Sequence, residues 1–424
     1  MTDLKKLLNR IRFEDTETIY AMITAYSVKW AAAGFLKEAA NLLSEFWKYK
    51  IPHSPNVSFM DEGFQIQWET LHIAPPENLP FKFKEISSVE NENWSRFFYA
   101  FGDEETVEKI LKTPYNELEG YFLLYKAVHS AVYNSEEPRS VLSGLREYIH
   151  SDDAVGYNYF WAATCGVLLG AKHSLKEETE HFLKLWGEGI EKYPLNCQPE
   201  CILRDSKTAP YLSERILAPI FRIDAELCRK ETVEILKVLS ERMTEGRSLV
   251  YGDLSWKTLI ERISRLAIEQ NQMEFSEEIR TKKYLGKEPA SEAEILSAEK
   301  RLGLRLPEDY RNFLAVSNGM ECFSFTGSAM MPADKIQFFA KMSPDTVETW
   351  ISAIEEIKPS FSEKLKGSIL IGGAEEEQQI LLVRDSEDRW ECWHFANWTP
   401  GETVYAGFRF YIESELMRLE EKDI

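Results

Sequence analysis

The residues that most invite a chemical reading are Cys197 and Cys201, in NCQPECIL. Two thiolates this close can share a metal ion, but a structural zinc needs four ligands in tetrahedral geometry. No second cysteine pair or matching histidine pair stands near them, so the segment reads as a loop with partly buried thiols. The seven histidines are scattered and contain no HExxH. His150, followed by Ser151 and Asp152, has triad residue types in a row, yet a triad is made by convergence in space. His394, in WECWHFANW, falls on an expected strand and reads as packing. Gly372 and Gly373 lack the lysine and helix start of a phosphate-binding loop. The sequence therefore assigns no catalytic residue, no cofactor and no metal. An enzyme carried by the N-terminal region would need His129, His150, His173, His181 or the two cysteines to converge in one deep pocket.

Carboxylates are the abundant chemistry. Against 50 Lys and Arg stand 70 Asp and Glu, a formal charge of -20. That balance argues against direct nucleic-acid binding, which requires basic groups to displace counterions, and against anionic membranes. An acidic surface can instead steer a basic protein toward it. One acidic stretch is IGGAEEEQQILLVRDSEDRWECW, residues 371–393. An expected hairpin would bring Glu375, Glu376 and Glu377 beside Asp385, Glu387 and Asp388. With Glu391 they would form a rim for Lys or Arg of a protein partner, and Trp393 or Trp398 would supply an aromatic anchor. The same charges would equally serve as a solvated edge that discourages strand pairing.

These groups must be positioned by more than one domain, since 424 residues exceed what one core usually organises. Residues 1–276 read as a mainly helical region. Helical periodicity runs from Thr16 to about Lys48, divided near Gly34, and returns in blocks at 104–112, 118–133, 137–149, 155–170, 175–192, 209–219, 226–243 and 253–274. No fixed repeat period emerges. AAAGFLKEAANLL has the small–large texture of a tetratricopeptide-type helix pair and equally that of ordinary helix packing. Between 57 and 73, Phe64, Ile66 and Trp68 alternate with polar residues, which predicts a β-like insert. Residues 277–288, charged and containing Gly286, read as a linker.

Residues 289–424 read as an α+β domain. Ser291 and Glu294 make a capping-box pattern, Gly303 fits a helix C-terminus, and Pro307 fits the first turn of a second helix. Strand candidates follow at MECFSFTG, GSILIGGA, QQILLVRD, RWECWHFA and ETVYAGF, with helices at 345–358 and 409–421. The fold class is thus a multidomain chain: a mostly α-helical region followed by a domain with a mostly antiparallel sheet.

This last domain resembles the SMI1/KNR4 family, also called SUKH. The resemblance rests on Glu299, Leu302-Gly303, Leu306-Pro307, Tyr310, Phe313-Leu314 and Asn318-Gly319, and on the closing GFRFYIESELMRLE. Where the family often has a GGG or GGD-like turn, this chain has Gly372-Gly373, then Ala374 and three glutamates, Glu375, Glu376 and Glu377. The motif residues are structural first. The resemblance implies a binding protein rather than an enzyme. Many bacterial members look like immunity proteins that neutralise toxins, including nucleases, and others are similar to regulatory scaffolds. Six cysteines are no disulfide framework, the start MTDLKKLLNRIRFED reads as no secretory signal, and no apolar run suits a membrane span. A reducing cytoplasm is expected.

Overall fold

The computed structural model describes residues 4–48, 64–74, 104–133, 137–192, 200–270, 272–324, 327–354, 361–374, 376–385, 389–396 and 402–421. The chain divides into two compact units, Met1–Gly246 and Arg247–Ile424.

The first unit is helical among its described residues, and its core draws on every long helix. Thr16–Ala32 and Leu36–Lys48 pack as a hairpin, as do Gly156–Lys172 and Lys176–Lys192. Both hairpins turn in the same way. Gly34 takes φ 80, its amide donates to Ala31 O, and the next amide, Phe35, reaches back to Trp30 O at 2.8 Å. At the second hairpin Ser174 takes φ 56, with Ser174 N donating to Ala171 O and Leu175 N to Gly170 O at 2.9 Å. The pattern recurs before Ala225–Glu245: Arg222 has φ 53, and Ile223 N reaches Ala218 O at 2.9 Å. This is the helix-terminating turn in which a left-handed residue lets two amides satisfy the last carbonyls. The unit repeats a turn although Gly, Ser and Arg fill its key position.

Two expectations for this region are corrected. Residues 64–69 form a helix, not a strand, with Phe64 and Trp68 stacked at 5.6 Å between ring centroids. Apolar residues four apart share a face in either conformation, and Gln65 donating to Glu69 Oε1 at 2.8 Å is a further helical i,i+4 pair. Residues 57–63 of the expected insert lie outside the described residues. The helical block expected at 209–219 is helix only over Ala209–Ser213 and continues as turns.

The second unit starts some thirty residues before the expected boundary. Helix Trp256–Glu269, grouped by its pattern with the preceding helices, buries Leu259, Ile260, Ile263 and Ala267 in the core of the second unit. The supposed linker contains helix Glu277–Lys282 and buries Leu285. A five-stranded antiparallel sheet follows, in the order β1 (Gln337–Phe338), β2 (Ile369–Gly372), β3 (Gln378–Arg384), β4 (Trp390–Ala396) and β5 (Glu402–Tyr405). Among its described residues, MECFSFTG forms none of the strands and makes isolated bridges, such as Met320 with Met330. Side chains alternate across the sheet. Ile369, Ile371, Ile380, Leu382 and Cys392 face a core shared with the motif helices and the C-terminal helix, Phe408–Glu421. Leu370, Leu381, Val383, Trp393 and Phe395 face a second core with Phe339, Val347, Ile351 and Phe361, from helices that cover the opposite side.

Candidate partner-binding site

The motif residues fix the frame on which any site must sit. Helix Glu292–Leu302 starts on Ser291, whose hydroxyl accepts from Glu294 N while the Glu294 carboxylate accepts from Ser291 N. It ends at Gly303, φ 70, and the chain turns into helix Glu308–Leu314 behind Pro307. Glu299 Oε1 closes the corner: it accepts the Leu306 amide at 2.8 Å and lies 2.6 Å from Arg311 Nη1. Leu302, Leu306, Tyr310 and Phe313 are buried. Asn318 Oδ1 accepts the Ala333 amide at 2.7 Å, and Gly319, φ 97, lies where a Cβ would meet Met330 O at 2.7 Å. Each motif residue thus has a structural task.

The glutamate turn lies between β2 and β3. Gly373 takes φ 71, and a Cβ there would stand 1.9 Å from Gln378 O. Glu376 N donates to Gly373 O at 3.2 Å, and Gln379 Nε2 donates to Glu376 O at 2.8 Å. The side chains of Glu376 and Glu377 are exposed on this tight turn, and Glu375 lies outside the described residues.

The single acidic rim is corrected. The glutamate turn precedes β3 and the 385–389 hairpin follows it, so the seven-residue strand separates the two, roughly 20 Å at about 3.3 Å per residue. At the hairpin, Asp385 is already neutralised by Lys364 Nζ at 2.5 Å and by Arg389, and Glu391 lies 3.7 Å from the same lysine. Trp393, expected to anchor a partner, is 3% exposed, stacked on Phe361 at 5.7 Å, and donates Nε1–H to Glu391 Oε2 at 2.8 Å. It belongs to the core. Glu387, Asp388 and Trp398 lie outside the described residues.

Sequence reasoning missed a polar cluster on the face of the sheet under the C-terminal helix. Glu415, 4% exposed, accepts from Ser324 Oγ at 3.1 Å and pairs with Arg418, whose Nη2 also donates to Ser324 Oγ at 2.8 Å. His394 Nε2 lies 2.9 Å from buried Gln378 Oε1, a contact the Nε2–H tautomer makes as donor. Burial first, and the Arg418 charge second, push the His394 pKa down to about 4. The Glu415–Arg418 spacing of three on one helix was the available signal, but the sequence is full of such pairs. Lys364 was missed because its partners, Asp385 and Glu391, are distant in sequence and meet it only in the fold.

In the first unit, burial lowers the pKa of His129; burial, then Arg146, lowers that of His181. A cleft of about 400 Å³ there is lined by Tyr115, Lys126, Ser143 and Glu147 among others, and none of the four candidate histidines lines it. Lys126 Nζ donates to Thr113 O at 2.6 Å over the Tyr115 ring, which marks it as a packing residue. Cys197 lies outside the described residues, and Cys201 falls in helix Glu200–Leu203. Among the described residues no group of His, Cys, Asp and Glu is placed to hold a metal ion.

The model of the SMI1 / KNR4 family (SUKH-1) matches residues 289–414. Those residues are a SUKH-1 domain. The match spans both motif helices, the whole sheet and the first half of the C-terminal helix. No match to a curated protein is found. The SUKH-1 domain supports a protein-binding, immunity-protein-like role for this part of the chain. Among the described residues, no helix is long and apolar enough to cross a membrane.

Proposed function

We propose that the protein is a cytoplasmic immunity-type binder that neutralises a protein toxin by stoichiometric occlusion rather than by catalysis. The family match carries this reading. The glutamate turn supports a basic partner surface: Glu376 and Glu377 are exposed on a backbone fixed by Gly373, whereas the acids at the far end of β3 are spent on Lys364 and Arg389. Rigid, exposed charge of one sign accelerates encounter with an oppositely charged patch without any need for a cofactor. A nuclease toxin, basic because it must bind phosphates, fits that requirement.

The test is the charge-reversed variant Glu376→Lys/Glu377→Lys, compared with the unaltered chain for association with its captured partner at several salt concentrations. Slower association at low salt, converging with the unaltered chain at high salt, supports the turn as the contact. Identical rates at every salt concentration remove the turn from the interface.

A further inference from the structure

The C-terminal helix carries a polar arrangement that the family-matched stretch alone leaves incomplete. Glu413 is 0% exposed, with Oε1 accepting from Arg409 Nε at 2.9 Å and Oε2 accepting from the Tyr251 amide at 2.9 Å. Arg409 Nη2 donates in turn to Tyr251 O at 2.8 Å and Leu254 O at 2.7 Å. Arg409 and Glu413 lie inside residues 289–414, and these three hydrogen bonds come from outside them. The apolar contacts repeat the relationship. Trp256 stacks on Phe408 at 5.7 Å and meets Phe313 edge-on at 5.7 Å, while Arg409 lies over its ring. Farther along, Tyr251 OH donates to Glu420 Oε2 at 2.6 Å and Gln270 Nε2 to Leu419 O at 2.7 Å. The return path is tied in as well: Leu285 N donates to Ser264 Oγ, Glu321 N to Leu285 O, and Lys287 N to Gly319 O.

We infer that residues 247–288 are a partner in cis built into this SUKH-1 domain. They occupy one flank of the C-terminal helix, open and close with it as one cooperative unit, and withdraw that flank from any other protein. The physical reason is that a buried carboxylate and guanidinium need their hydrogen bonds. Lifting 247–276 away breaks three of these bonds and strips the aromatic stack of Trp256 in the same motion. The occupant's chemistry matches the flank: an amphipathic helix buries apolar side chains while carbonyls from the preceding turn receive the guanidinium.

Amide hydrogen exchange on the full chain tests the inference. Peptides covering 256–269 and 408–421 are expected to show protection within roughly threefold of each other and to lose it at the same denaturant concentration, as members of one cooperative unit do. Ile263→Asp should then lower protection in both segments together and leave 156–172 unchanged. The inference is overturned if 256–269 exchanges on the order of a hundredfold faster than 408–421 in the unaltered protein, the mark of a separately opening element. It is also overturned if Ile263→Asp releases 256–269 alone.

Discussion

Glu299 and Arg311, on different helices of the motif, meet at 2.6 Å, and the same Glu299 oxygen accepts the Leu306 amide at 2.8 Å. One carboxylate therefore satisfies an amide in the bend and a cation on the next helix, and both side chains are nearly buried. Removing it strands the buried Leu306 N–H and leaves the Arg311 guanidinium with Glu292 as its remaining carboxylate partner. Glu299→Ala is expected to destabilise the second unit by roughly 2–4 kcal/mol. Glu299→Ala/Arg311→Ala should show a coupling of about 1–3 kcal/mol. Denaturant dependence of amide exchange over 292–314 measures both; additive effects would deny the pair its role.

Two of the left-handed glycines, Gly303 and Gly373, should respond differently to a methyl group. At Gly303 nothing stands within 4 Å of the added Cβ, so Gly303→Ala is charged only the left-handed backbone, about 1 kcal/mol. At Gly373 the Cβ would stand 1.9 Å from Gln378 O, so Gly373→Ala should cost roughly 3 kcal/mol or more and disturb the β2–β3 turn. Denaturation of the two variants side by side checks the order.

His394 makes the second unit sensitive to acid. Its folded pKa of about 4 lies below the ordinary value of 6.5 because burial disfavours the imidazolium. The unfolded chain therefore binds this proton first as pH falls. The contribution of His394 is complete above about pH 6.5 and declines between 6.5 and 4, with a total near 3 kcal/mol. In His394→Gln the stability–pH curve over that window should be flatter than in the unaltered protein. Parallel curves would show that His394 does not titrate as its burial requires.

The acids at the two ends of β3 should separate by phenotype. Asp385→Asn removes a partner of Lys364 and Arg389 and should cost about 1 kcal/mol of stability while leaving partner association unchanged. Trp393→Ala should cost about 3–5 kcal/mol by opening the second core. Glu376→Lys/Glu377→Lys should leave stability within about 0.5 kcal/mol and slow association with a basic partner by on the order of tenfold at low salt. Thermal unfolding and association rates, measured on the same samples, separate the three.

Much of the second unit was legible because its signals are local. The capping box at Ser291 and Glu294, the helix end at Gly303 and the helix start at Pro307 each announce backbone geometry within four residues. What failed was non-local. Phe64 and Trp68, four apart, fit a strand and a helix alike, and only their packing decides. Helix Trp256–Glu269 has the same amphipathic pattern as the helices before it, and periodicity does not say which core it will enter. Glu376 and Asp385 are near in sequence, but a strand carries its two ends apart, so the joint rim dissolved once β3 was in place. The repeated turn of the first unit escaped because Gly34, Ser174 and Arg222 share a conformation and not a side chain.

Stoichiometric neutralisation is tested by titrating the activity of a captured toxin. The full chain, added to a purified toxin recovered with it by affinity capture, should extinguish activity in a linear titration that ends near one equivalent, with a one-to-one complex on gel filtration. A toxin that remains fully active in the presence of excess protein while bound to it would rule out neutralisation by occlusion.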